Sequence, residues 1–180
     1  MKTINAYLFN ELSQEAKDLA IHNFDTDHLY DHDPILEGMK EDLQAIGLED
    51  IEIQYSGFWS QGDGLSFTAS VHDMAMFCNH IGVPAMRDVD ASFYRVSRNY
   101  LHENTCTTEL NFIQAPESSE HASQRYLLQQ AMELWRKEEC RRLYKVLERY
   151  YEECISHEAI IEHLEVNEYH FLEDGIRVRA

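Results

Sequence analysis

Residues 118–154 run for 37 positions without a glycine or a proline. Leu, Gln, Glu, Arg and Ala dominate the run, so nothing in it breaks a helix, and the pattern predicts one long helix near 118–154. At about 1.5 Å per residue it would reach roughly 55 Å, longer than a compact domain is wide. Cys140, Leu143, Leu147, Tyr150 and Cys154 keep an a/d-like spacing near its end. Leu128, Ala131, Met132 and Trp135 form an earlier stripe in a different phase, with the charged run Arg136-Lys137-Glu138-Glu139 at the change. The helix is therefore expected either to kink there or to carry its end outside the main body.

Ahead of this run, strand and helix signals interleave. Ile4 to Leu12 reads as a short strand, and Ser13 as the N-cap of a helix that buries Ala16, Leu19, Ala20 and Phe24. Pro34 suits the first turn of a second helix, with Asp33 as its cap and Gly47 as its stop. Ile51, Ile53 and Tyr55 alternate with polar residues, as do Leu65, Phe67, Ala69 and Val71. Gly62-Asp63-Gly64 between them predicts a tight hairpin turn. A short helix is expected over 73–80. A second hairpin would join "SFYRVSRN" to "TCTTELNFI" through "YLHEN", and a third would turn at Asp174-Gly175 after a short helix capped by Ser156. The pattern specifies a single α+β domain over residues 1–180, with an antiparallel sheet of hairpins packed against helices.

Charge narrows what such a chain can bind. The net charge is −18, and residues 1–63 hold 14 acids against three bases. Such a field repels nucleic acids and anionic membranes and favours a basic protein surface. No stretch of 18 apolar residues exists, and "MKTINAYLFNEL" has no apolar signal core, which points to a cytoplasmic protein. Cys78, Cys106, Cys140 and Cys154 are far apart and form no CxxC pair, as expected of reduced thiols.

Chemical motifs are sparse. "SQGDG" lacks the Lys and Ser/Thr of a phosphate loop, and Asp63 has no neighbouring acid–base partner, so the plainer reading is a turn. Trp59 beside it is either a partner anchor or a cap on the sheet. His28 and His32 stand four apart, a spacing that can bind zinc on a helix, but no third ligand follows and a solvated acidic loop accounts for them. In "YLHEN", His102 and Glu103 would point to opposite faces of a strand. The cysteines have no adjacent His. "RKEECRRLYK" interleaves bases with acids, as on a salt-bridged helix surface. No catalytic, metal or cofactor residue is assigned.

Three segments resemble a family of small proteins from bacteriophages and other mobile elements: "YSGFWSQGDGLSF" (55–67), "YLHEN" (100–104) and "NEYHFLEDGIRV" (167–178). The opening "FNELSQEAKDLAIHNF" is also similar. The resemblance implies a phage accessory protein acting in a bacterial host cytoplasm, and it implies no catalytic residue. The leading expectation is an inhibitor that binds the basic surface of a bacterial protein by nucleic-acid mimicry. A CRISPR effector or another defence nuclease fits, because its working groove is positive. Its partner-binding residues would be Asp25, Asp27, Asp31, Asp33 and Glu37 in the acidic segment that begins at Asp18, together with Trp59, Gln61 and Asp63. Two alternatives stay open. One is a small enzyme or ligand-binding domain around the hairpin loops. The other is an antitoxin-like or regulatory protein that dimerises through its long helices.

Overall fold

The computed structural model describes residues 5–87, 89–97, 99–116 and 118–178. They form two compact units of an α+β chain. The first unit takes the N-terminal residues to Asp31 and the C-terminal residues from Arg149, and the second takes His32–Glu148.

In the first unit the chain begins with β1 (Tyr7–Leu8), which passes directly into a 3-10 helix over Phe9–Glu11. The strand predicted from Ile4 to Leu12 is thus only two residues long among the described positions. Leu12 and Phe9 turn into the core instead of continuing an alternation. Helix α1 (Gln14–His22) starts where Ser13 Oγ accepts the Ala16 N–H, the cap expected from the sequence. Helix α5 (His157–Val166) starts in the same way on Ser156. Phe9, Leu12, Ala16, Ala20, Ile160, Leu164 and Phe171 make one buried cluster. The third hairpin forms as predicted, with Leu172 N–H on Ile176 O and Val178 N–H on His170 O, both at 2.8 Å. Its first strand, β6 (His170–Phe171), also pairs antiparallel with β1, which joins the two ends of the chain. Gly175 lies at φ +85°, and a Cβ there would sit 2.2 Å from Ala16 O, so only glycine lets the turn close on α1.

The second unit is built on a four-stranded antiparallel sheet in the order β2 (Leu48–Tyr55), β3 (Leu65–Val71), β4 (Val89–Arg95) and β5 (Cys106–Phe112). Helix α2 (Asp33–Gln44) precedes it, and α3 (Met74–His80), capped by Asp73, lies between β3 and β4. Asp33 is the first residue of α2, not its cap. The cap position belongs to His32, which makes no side-chain capping bond. Alternation sends Ile53, Phe67 and Phe93 to one face, where Trp135 packs edge-on against Phe77 at 4.8 Å between ring centroids and near Phe93 at 5.7 Å. Each fully buried phenylalanine here contributes about 1.5–3 kcal/mol of transfer free energy.

Helix α4 (Ser119–Cys154) is continuous. There is no break at the charged run, and from Arg149 onward its residues belong to the first unit. The reason is Arg136. Leu128, Met132, Arg136, Cys140, Leu143 and Leu147 are all buried, and together they form one uninterrupted stripe. The guanidinium of Arg136 is wholly buried. It donates to both carboxylate oxygens of Glu133 and to the Glu103 carbonyl. A charged residue at an apolar register position made the sequence look like two stripes.

Candidate functional site

The connection between β2 and β3 is a nine-residue loop, Ser56 to Gly64, and not a two-residue Asp-Gly turn. Its ends are closed by Ser56 N–H on Gly64 O (3.1 Å) and by Gly64 N–H on Ser56 Oγ (3.2 Å). Inside it, Asp63 Oδ2 accepts the N–H groups of Trp59 (2.9 Å) and Ser60 (2.7 Å), and Asp63 N–H donates to Ser60 O. The carboxylate therefore acts as an internal brace, which a sequence pattern of Asp followed by Gly does not distinguish from a hairpin turn. From α4, Tyr144 Oη donates to Gly57 O at 2.7 Å. Burial raises the Tyr144 phenol above its ordinary pKa, helped by the negative charges of Glu148 and Asp63, so it remains a donor at neutral pH.

The "YLHEN" segment packs against the last residue of the loop. A Cβ on Gly64 would meet His102 Cβ at 2.7 Å, so the loop's last residue must be glycine for the two segments to touch. His102 Nδ1 accepts the Asn104 N–H, which places the proton of the neutral ring on Nε2. Thr105 Oγ1 donates to the His102 carbonyl. Burial works to raise the Glu103 carboxyl, but its own backbone amide and the Arg141 guanidinium, 3.1 Å away, outweigh that and hold it below the usual range. His102 and Glu103 thus fix a short 3-10 turn, consistent with the structural reading of that motif.

An aromatic ladder ties the loop to the start of α2. His32 lies 5.7 Å from Tyr55, Tyr55 stacks on Phe58 at 5.6 Å, and Phe58 lies 5.8 Å from Tyr144. His32 Nε2 is 3.6 Å from Asp33 Oδ1. Trp59 itself is 75% exposed at the edge of this ladder, and Ser60, Gln61 and Gly62 beside it are exposed too.

A family described as a domain of unknown function, DUF8835, matches residues 32–90. The match begins at the first residue of the second unit and runs through α2, β2, the loop, β3 and α3 into β4. It holds the ladder residues His32, Tyr55 and Phe58 together with Trp59, but neither "YLHEN" nor α4. No curated protein and no solved structure matches the chain.

The eight residues expected at a partner surface do not form one group. Asp33, Glu37, Trp59, Gln61 and Asp63 belong to the second unit. There the ladder links Asp33, through His32, to the loop, while Asp63 faces the loop backbone. Glu37 is exposed and pairs with Lys40 at 3.0 Å, so the acidic segment has a base beside it after all. Asp25, Asp27 and Asp31 are exposed in the first unit, where Asp25 Oδ1 accepts the Asp27 N–H. His28 and His32 share no helix face. His28 packs on Phe24 and His163 in one unit, and His32 on Tyr55 in the other. Among the described residues, no group of three or more His, Cys, Asp or Glu could hold a metal ion. Nor, among these residues, is any helix long and apolar enough to cross a membrane. The residues missed from sequence were Tyr144 and Arg136. Nothing local marked Arg136 as buried, and Tyr144 meets Gly57 and Phe58 only across 87 and 86 residues of chain.

Proposed function

We propose that this chain is a non-enzymatic binding protein that docks the Trp59 loop on a basic surface of another protein. The observation that carries this reading is an indole held three-quarters exposed on a loop whose backbone is already fixed by Asp63, Ser56, Gly64 and Tyr144. An aromatic anchor on a rigid loop binds without the ordering cost of a flexible one, and buried aromatics dominate protein interfaces. Asp33 and Glu37 add carboxylates on the same unit, and the net charge of −18 steers the chain toward a positive partner.

Surfaces that are strongly basic are chiefly those that handle nucleic acid. With the mobile-element resemblance, this reading favours a defence nuclease in a bacterial cytoplasm, such as a CRISPR effector, with the chain occupying ground that nucleic acid would take. The test is capture from a bacterial lysate by immobilised wild type and Trp59→Ala in parallel. The expected result is a basic protein retained by the wild type alone and released by a DNA or RNA oligonucleotide. Equal retention by both forms, or direct binding of the oligonucleotide by the chain, would overturn the proposal.

A further inference from the structure

A groove of about 610 Å³ opens in the second unit, between the irregular segment Val83–Met86 and one face of α4. Its α4 wall carries Gln124, Leu127, Leu128, Ala131 and Leu134. Among the described residues, no ionisable side chain lines it, although the chain holds 33 acids. Leu127 and Leu134 are 63% and 59% exposed, a cost that folding of this chain does not recover.

Charge around the groove is ordered. Glu120 stands four residues before Gln124 and Glu138 four after Leu134, so exposed glutamates lie at both ends of the apolar face. The nearby bases are engaged elsewhere: Arg125 stacks over Phe112 and donates to Gln114 O, and Lys137 pairs with Glu133. Arg87, next to Met86 on the opposite wall, is the exposed base in the vicinity.

We infer that this groove is a second docking site, independent of the Trp59 loop, and that its occupant is an amphipathic α-helix with basic ends. The apolar residues Leu127, Leu128, Ala131 and Leu134 recur at i, i+1, i+4 and i+7, one helix face that accepts the apolar stripe of a second helix. Glu120 and Glu138 are 18 residues apart, about 27 Å along the axis, so the helix that fits carries its Lys or Arg residues roughly that far apart. A second copy of this chain is disfavoured as the occupant. Each copy carries −18, and ten lining residues are fewer than the roughly 20–30 per side of a stable dimer interface.

The probe is a fluorescein-labelled 18-residue Leu/Lys peptide with an amphipathic order, beside a scrambled peptide of the same composition and a Leu/Glu peptide of the same pattern. Fluorescence anisotropy with the full chain at physiological salt should show the Leu/Lys helix binding at least tenfold more tightly than either control. Leu127→Asp with Leu134→Asp should weaken it at least tenfold. Both positions are exposed, so the double variant should keep its thermal midpoint. Amide shifts on titration should concentrate in 83–86 and 124–134. Equal binding of the scrambled peptide, or binding unmoved by the double variant, would overturn the proposal as mere charge attraction. A dimer in sedimentation that dissociates in the double variant would overturn it in favour of a second copy. The assay uses no target of the Trp59 loop, so either reading can fail alone.

Discussion

Replacing Arg136 with Met keeps the aliphatic stem and deletes the guanidinium. That group is wholly buried and makes two hydrogen bonds to Glu133, a fork on both carboxylate oxygens, and one to the Glu103 carbonyl in the "YLHEN" turn against which Gly64 packs. Removing one partner of a buried pair costs about 3–5 kcal/mol, because the other charge is left behind. Glu133 retains Thr108 at 3.0 Å and Lys137 at 3.5 Å, and its side chain is 29% exposed. The low end therefore applies, ~3 kcal/mol, or a fall of about 6–12 °C in Tm for a chain of this size. Arg136→Lys keeps a charge but loses the fork, and should cost ~1.5 kcal/mol, one charge-assisted hydrogen bond. Urea unfolding followed by Trp135 fluorescence reads this directly, since Trp135 packs on Phe77 and Phe93 while Trp59 is already exposed. Burial raises the Glu133 carboxyl, but the hydrogen bonds from Arg136 and Thr108 and the charges of Arg136 and Lys137 outweigh it and hold it below 4.5. A depressed carboxylate contributes stability above its unfolded value that is lost as pH falls through its folded value, so Arg136→Met should also flatten the acid limb. A loss below 1 kcal/mol for Arg136→Met would refute the reasoning.

Three further outcomes are expected. Gly175→Ala forces a Cβ into Ala16 O at positive φ and should destabilise the first unit by about 2 kcal/mol or more, read as early loss of amide protection in α1 and β6. Burial, with the neighbouring Cys106 thiol, pushes Cys140 up to about 12, so native protein should show Cys78, Cys106 and Cys140 silent toward a thiol reagent and Cys154 reacting first. His163 is held below its ordinary 6.5 by burial and by the positive charges of His28 and Arg177. A depressed imidazole favours the folded state when neutral, so stability is full above 6.5 and falls as pH drops below it, and His163→Gln should flatten that fall.

Much of the fold was legible because local signals agreed with it. Ser13, Asp73 and Ser156 marked helix starts, alternation marked β2 and β3, the second hairpin pattern marked β4 and β5, and Asp174-Gly175 marked the last hairpin. Failures came where a side chain did something its type does not announce. Arg136 occupies a core position, Asp63 braces a nine-residue loop, and β1 is cut short because Phe9 and Leu12 turn inward. Pairing of β1 with β6 joins residues some 160 apart, which no window along the chain can see. Trp59 was legible as a candidate, but the ladder that ties its neighbour Phe58 to His32 and Tyr144 joins distant parts of the chain. Splitting of the acidic segment between two units was hidden, since its carboxylates are continuous only along the sequence.

The most direct test of the binding claim is the dissociation rate of the captured target from wild type, Trp59→Ala and the pair Asp33→Asn with Glu37→Gln, measured by surface plasmon resonance across a salt series. The account predicts that Trp59→Ala keeps the on-rate and speeds dissociation about 30-fold, as loss of a ~2 kcal/mol anchor requires. The carboxylate pair should instead slow association and flatten its salt dependence, with little change in dissociation. Dissociation of Trp59→Ala at the wild-type rate would contradict the account.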